Sequence, residues 1–330
     1  MVHSRPIFVF GQPALAATAE DARVLFTFSN CRKMWPPIGM AASTAHSHAR
    51  TQATPTLPGY DVYSTIGRGH FGDVRLVRPV LVPPGARTRP LLAAKFVRLT
   101  TTTSRAEVQL RRCRDEFELQ RRARGPHVCE ALETVVHDGH FALVQEYASG
   151  GDLRQLLDFH RSHGCLLPVH DDWLVHIACA LAHCHAAGIV HGDVKPENIV
   201  VSQRGGAKLI DFGCADECTT RTGGCVRPKG TIPYMSPELW TSAEHGSAVD
   251  VWAFGVLLYR AWNGGLFPFP RLTFGAPNFL QQYERLPDFE RNLPSPRHAA
   301  LVRRMLSYDP AARPAAEDVL NELVGMGSPT

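Results

Sequence analysis

The stretch that decides the fold is "GIVHGDVKPENIVV", residues 188–201. It places Asp193, Lys195 and Asn198 at short fixed spacings between two apolar runs. Downstream, "LIDFG" adds a further carboxylate, Asp211. One carboxylate can accept a proton from a hydroxyl, while a second carboxylate and an amide can hold magnesium across phosphates. Together the two segments indicate a phosphate and metal site.

A glycine-rich segment lies upstream, at "IGRGHFGDV", residues 66–74. Its glycines, Gly67, Gly69 and Gly72, lack a Cβ, so a hairpin backbone can approach phosphates and direct successive N–H groups at the anion. The segment joins two predicted strands and does not open a helix, which disfavours a dinucleotide-binding fold.

Lys95, in "AAKF", falls in the middle of an apolar predicted strand. A buried ammonium needs an acidic partner, which we expect on the helix that follows. Glu116 is the predicted partner because that choice leaves Phe117 and Ala123 on the inward face. Glu118 is the alternative, which the sequence leaves open.

The order of elements predicts the fold class. Residues 1–58 are rich in Ala, Thr, Pro and His and lack a regular period, which predicts a flexible extension. From Tyr60 the chain shows three strand patterns, a helix from about Ser104 to Arg124, and two more strands. Helical patterns dominate the remainder. Strands first and helices later predict an α+β chain with segregated halves.

Composition argues against several classes of protein. The 330 residues are 44% hydrophobic and 20% charged, and no apolar run of about 18 residues predicts a membrane span. A net charge of +4 is too small to predict a nucleic-acid partner. Nine scattered cysteines do not form the framework of a small secreted protein, so we expect reduced thiols. These features predict an intracellular protein, cytoplasmic or nuclear.

From about Gly59 to Gly325 the chain resembles the eukaryotic-type protein kinases, because its motifs occur in that family's order. The resemblance implies a two-lobed fold. A small, mostly antiparallel β lobe with one regulatory helix would span 59–147, a larger helical lobe 148–325, and a tail 326–330. Two narrower resemblances stay open, to the SH3-binding-domain kinases through "QEYASGGDL" and to virus-encoded kinases.

The resemblance also implies roles for individual residues. The catalytic set would be Asp193, Lys195, Lys95 and Glu116. Magnesium, with manganese as the alternative metal, would bind Asn198 and Asp211. ATP would contact Ile66, Gly67, Gly69, Gly72, Val74, Ala93, Lys95, Glu146, Ala148 and Asp152. In these roles one carboxylate positions the attacking hydroxyl, and the cations neutralise phosphate charge. Gln145 would guard the back of the adenine pocket.

Other residues imply the type of substrate and the scaffold. Lys195 and Thr231, in "GTIPYMSPE", are typical of serine/threonine kinases within the family. The resemblance further implies a buried bridge between Glu238 and Arg313, and an anchor beneath the catalytic loop at Asp250. We therefore expect a monomeric enzyme that uses ATP and phosphorylates protein substrates.

Gly192 departs from the family pattern, since many relatives carry Arg there to pair with a phosphate on the activation segment. One interpretation is an active kinase that needs no such phosphate. The alternative is a pseudokinase scaffold that binds partners without phosphotransfer. The complete set of predicted ATP, magnesium and proton-transfer residues favours the active enzyme.

Substrate preference is predicted from two further positions. Glu197 resembles the residue with which basophilic kinases receive a substrate Arg, but the companion acid is replaced by Arg260. A cation there should repel a substrate Arg, so we expect weak or no preference for basic residues before the target hydroxyl.

Overall fold

The computed structural model describes residues 55–69, 72–82, 88–163, 171–202, 206–218, 230–241, 244–269, 280–284 and 287–326. Three predicted segments fall wholly or partly outside the described residues: most of the extension, residues 70–71 of the glycine-rich segment, and the last residues of the tail.

Five strands form one antiparallel sheet in the order β1-β2-β3-β5-β4. They are β1 (Tyr60–Gly69), β2 (Gly72–Pro79), β3 (Leu92–Arg98), β4 (Ala131–His137) and β5 (His140–Glu146). One face buries a cluster that includes Phe96 and Val144, and Leu57 packs into it with 4% of its surface exposed. The folded part therefore begins before Gly59, where the sequence placed the lobe boundary.

The helix α1 (Thr103–Arg122) packs on the other face of this sheet. Its buried Cys113 contacts a cluster containing Phe141 and Leu143. The arginines along the helix are exposed, so they form its solvated face. The helix thus lies against β3 and β5, the strands that carry the predicted adenine and phosphate contacts.

The remaining helices are α2 (Leu153–His163), α3 (Asp171–Ala186), α4 (Glu238–Thr241), α5 (Ala248–Trp262), α6 (Phe289–Asn292), α7 (Pro296–Met305) and α8 (Ala316–Met326). The residues of α5 are apolar on every face of the helix, and most of the helix is buried, as expected for a helix with no polar face. It packs against α7, while α3 packs against α8. Strands and helices are segregated, so the predicted α+β class is confirmed.

A buried ion pair links the start of α4 to the segment just before α8. Arg313, 1% exposed, donates to both carboxylate oxygens of Glu238 at 2.6 and 2.8 Å. It also donates to the carbonyls of Ser307 and Ala248, so most of its donors are paired. The predicted bridge between Glu238 and Arg313 is confirmed.

Two short strand pairs bring the motif segments together. β6 (Ile189–Val190) pairs with β9 (Asp216–Glu217), and β7 (Ile199–Val201) pairs with β8 (Ala207–Leu209). The predicted catalytic loop, residues 191–198, lies between β6 and β7, and Asp211 lies between β8 and β9. In the described part of the chain, the helices are too short or too polar to cross a lipid bilayer.

Candidate active site

The catalytic loop is anchored from below by Asp250 of α5. This carboxylate, 1% exposed, accepts hydrogen bonds from the backbone N–H groups of His191 and Gly192, both at 2.8 Å. His185 lies 2.9 Å away through Nε2. Burial alone would raise the pKa of Asp250, but the bond from His185 and the nearby imidazoles and N–H groups hold that pKa below its usual value. The predicted anchor is confirmed.

Asp193 lies at the centre of a compact polar cluster. Its Oδ2 accepts from Lys195 Nζ at 2.6 Å, and its Oδ1 accepts from the Thr231 hydroxyl at 2.8 Å. Lys195 Nζ also lies 2.7 Å from Thr231 Oγ1. Thr231 therefore lies beside the catalytic aspartate, as predicted. A substrate hydroxyl entering this cluster would meet a carboxylate that can take its proton and a cation that can offset phosphoryl charge.

The predicted metal ligands meet at the end of the β7–β8 pair. The backbone carbonyl of Asn198 accepts from Ile210 N–H at 2.9 Å, which places Asn198 beside Asp211. The Asn198 side chain donates to the Asp193 carbonyl at 2.8 Å, so its amide oxygen is left for other contacts. An amide oxygen and a carboxylate suit Mg²⁺, which takes few protein ligands and completes its shell with phosphates and water. Bound there, the ion would neutralise phosphate charge.

Lys95 lies between two carboxylates. Its Nζ is 2.6 Å from Glu116 Oε1 and 2.8 Å from Asp211 Oδ1. Burial alone would lower the pKa of Lys95, but the charges of Asp211 and Glu116 raise it above its usual value, so the ammonium stays charged. The prediction of Glu116 is confirmed, and the alternative is excluded because Glu118 pairs with Arg121 on the same helix.

The predicted nucleotide contacts lie on the first three strands and after β5. Gly67, Val74 and Lys95 are neighbours across three strands, and Ala93 shares the Lys95 face of β3. The other predicted contacts on these strands and beyond are Ile66, Gly69, Gly72, Glu146, Ala148 and Asp152. The structure thus aligns Gly67, Val74, Lys95 and Ala93 along one side of the sheet.

Gly192 adopts a conformation that suits glycine. Its φ is +76°, and a Cβ there would lie 2.7 Å from the Cys214 carbonyl oxygen. Cys214 and Gly230 are the two ends of the activation segment (residues 214–230). Gly230 comes as close to Gly192 as Cys214 does, because a Cβ on Gly230 would lie 2.7 Å from the Gly192 carbonyl oxygen. Both ends of the segment therefore contact the catalytic loop through backbone atoms.

Two polar contacts at the site were not predicted. Gln120 of α1 is buried and hydrogen-bonds Gln145, and Lys208 of β8 lies 2.6 Å from Glu146. A polar residue in the inward stripe of the predicted helix, one turn after Glu116, is the signal that could have pointed to Gln120. For Lys208 the sequence holds no comparable signal, since its partner lies on a distant strand.

The family profile described as Protein kinase domain matches residues 60–324. The chain therefore belongs to the protein kinase family, and the fold and motif set are those of a eukaryotic-type serine/threonine kinase.

Relatives with established names agree with this class. Human Ribosomal protein S6 kinase alpha-3 is 28% identical over 269 residues, which cover 77% of this chain and 33% of that protein. Serine/threonine-protein kinase Aurora-1 of Arabidopsis thaliana is 31% identical over 219 residues, covering 66% of this chain and 70% of that protein. Aurora/IPL1-related protein kinase 2 of Caenorhabditis elegans is 27% identical, covering 82% and 77%. The chain spans about a third of the first relative's length.

Proposed function

We propose that this protein is an ATP- and magnesium-dependent kinase that transfers the γ-phosphoryl group of ATP to serine and threonine hydroxyls of proteins. The proposal rests on two polar clusters in which every predicted member is in contact with its predicted partner. Lys95, held by Glu116, is placed for phosphates, and Asp193, held with Lys195 and Thr231, is placed for the attacking hydroxyl. Phosphoryl transfer needs positioning and charge neutralisation, and these groups provide both.

Transfer of labelled γ-phosphate to a mixed protein substrate tests this function. Wild type should form phosphoserine or phosphothreonine, and Asp193→Asn and Lys95→Met should abolish both. Asp172→Asn is a matched control, since this exposed carboxylate lies in the first turn of α3 and is not one of the predicted site residues. Folded wild type that binds ATP but is as silent as the two site variants would instead support a pseudokinase scaffold.

We further propose that activity does not require a phosphate on the activation segment. Support comes from the contacts of Gly192 and Gly230, which join the two ends of that segment to the catalytic loop without a charged group. The hydrogen bond from the Thr231 hydroxyl to the Asp193 carboxylate adds a link at the same place that needs no phosphate. In relatives with Arg at this position, a phosphate must neutralise the cation before the segment is ordered.

Protein made in bacteria and treated with phosphatase should therefore be fully active. Replacing Thr219, Thr220 and Thr222 with alanine together should leave kcat unchanged, while Thr231 is kept because it contacts Asp193. An absolute requirement for an upstream kinase would contradict the proposal.

The contacts of Glu197 and Arg260 support the proposal that the enzyme has weak or no preference for basic residues before the target hydroxyl. Arg154 Nε lies 3.5 Å from Glu197 Oε1, so an arginine of this chain already faces the carboxylate that would receive a substrate Arg. Arg260 donates to the Tyr234 hydroxyl and stacks 4.2 Å from the Phe267 ring centre, which fixes a cation nearby. A peptide array should show no dominant Arg signal at these positions, and Arg260→Glu should create one.

We also propose that the enzyme acts as a monomer inside the cell, in the cytoplasm or nucleus, where its co-substrate ATP is abundant. Size-exclusion chromatography with light scattering tests the first expectation, and cell fractionation tests the second.

A further inference from the structure

An amide pair, the buried Gln120 on α1 and the half-buried Gln145 on β5, lies behind the predicted adenine site. Gln120 is 1% exposed, and its Nε2 donates to Gln145 Oε1 at 3.0 Å and to the Cys129 carbonyl at 2.9 Å. Its Oε1 is buried with no hydrogen-bond partner in the described part of the chain. Buried amides are costly when unsatisfied, so a glutamine here indicates a specific role for its two hydrogen bonds.

The place of Gln120 on α1 links it to phosphate binding. It lies one turn after Glu116, and residues four apart share a helix face. Glu116 pairs with Lys95 at 2.6 Å. The helix is therefore tied to β3 through Glu116, and to β5 and the segment before β4 through Gln120. Apolar packing of Cys113, in the middle of the helix, is non-directional, whereas these hydrogen bonds specify how the helix is rotated on the sheet.

The place of Gln145 links it to adenine binding. It directly precedes Glu146, and it pairs in strand register with Ala93, both predicted adenine contacts. Gln145 thus lies between the wall that would meet the base and the helix that holds the phosphate-binding lysine.

We propose that the Gln120–Gln145 hydrogen bond is a positioning contact for catalysis. It holds α1 in the orientation in which Glu116 reaches Lys95, and it couples that orientation to the wall of the adenine site. The proposal rests on the proposed kinase function. Neither glutamine touches the transferring phosphoryl group, and both act through Glu116 and Lys95.

The pair should behave as a unit under mutation. Gln145→Leu leaves the buried Gln120 amide without one partner, and Gln120→Leu leaves both the half-buried Gln145 and the Cys129 carbonyl without theirs. Either loss displaces the helix, whereas two leucines can pack against each other. We expect Gln120→Leu to lower kcat about tenfold and Gln145→Leu a few-fold. The double variant Gln120→Leu/Gln145→Leu should be more active than Gln120→Leu alone, which is the opposite of independent effects.

Gln109→Leu is the matched control. Gln109 lies on the same helix and also makes two hydrogen bonds, to Thr100 N–H and the Arg98 carbonyl, but at the exposed end of the helix. The chemical change is identical, and its kcat should stay within about twofold of wild type.

The experiment measures kcat, the KM for ATP, the melting temperature, and the Kd of a non-hydrolysable ATP analogue with magnesium for wild type and these four variants. Kinetics are measured well below every melting temperature. A wild-type kcat in Gln120→Leu would show that the pair only stabilises the fold, and multiplicative losses in the double variant would show that it does not act as a unit; either result overturns the proposal. If wild type binds the analogue but transfers no phosphate, the proposed kinase function fails. The Kd of the analogue then tests the positioning proposal by itself: binding must be weaker in Gln120→Leu and recover in the double variant. Without that recovery the positioning proposal fails as well.

Discussion

Replacing Gly192 with alanine should destabilise the protein by about 2–5 kcal/mol. A φ of +76° is open to glycine but costs a residue with a Cβ about 1–2 kcal/mol. The added Cβ would also lie 2.7 Å from the Cys214 carbonyl oxygen, well inside contact distance. Backbone must shift to relieve such an overlap, which typically costs about 1–3 kcal/mol.

Gly139→Ala separates the two contributions. Gly139, in the turn between β4 and β5, has a φ of +67° but no heavy atom within 4 Å of its virtual Cβ. Its substitution should therefore show the conformational cost alone, about 1–2 kcal/mol. Urea unfolding followed by tryptophan fluorescence, with slopes compared between variants, measures both penalties.

The two variants should also differ in activity. Gly192 N–H donates to Asp250 Oδ1 at 2.8 Å, and Asp193 follows it directly, so a shift at Gly192 displaces the catalytic carboxylate. We expect kcat to fall in Gly192→Ala and to stay unchanged in Gly139→Ala. Equal unfolding penalties would show that the Cys214 carbonyl yields freely, and the backbone-contact argument for the activation segment would then be wrong.

Two further predictions concern the scaffold. Arg313→Ala should cost about 3–5 kcal/mol of unfolding free energy, because it leaves Glu238 as an unpaired, largely buried charge. Arg304→Ala, which breaks the half-exposed pair with Glu322, should cost no more than about 1 kcal/mol. Similar losses in the two variants would refute this reasoning. Because the pKa of Asp250 is depressed in the folded state, its charge stabilises the fold above the unfolded pKa of about 3.9, and this stabilisation is lost as the pH falls through the lower folded pKa. The loss of unfolding free energy caused by Asp250→Asn should therefore shrink below about pH 4. A loss that does not depend on pH would contradict this reasoning.

Much of the site could be predicted because its residues are carried by short local patterns. Asp193, Lys195 and Asn198 lie within one loop, so their spacing alone places them together. Glu116 was predicted from helical periodicity, since the partner of Lys95 had to face the sheet. The fold class followed from the order of strands and helices, which needs no knowledge of long-range contacts.

Contacts between distant elements could not be predicted in this way. The bond between Gln120 and Gln145 depends on how α1 is rotated on the sheet, and the contact of Arg154 with Glu197 depends on where α2 meets the catalytic loop. Side-chain pairing of this kind is decided by tertiary packing, whereas a sequence pattern reports only which face of an element is apolar.

At Gly192 the sequence reveals a departure from the kinase pattern but not the contacts that require glycine there. The sequence reveals only a missing cation, but the structure shows what the missing side chain makes room for: the Cys214 carbonyl on one side and the close approach of Gly230 on the other. Backbone packing and the hydrogen bond from Thr231 to Asp193 act at contact distance and need no phosphate, unlike a pairing between arginine and phosphate. If these contacts order the activation segment, arginine at this position would gain no phosphate partner and would force the two backbones apart. Gly192→Arg should therefore lose activity.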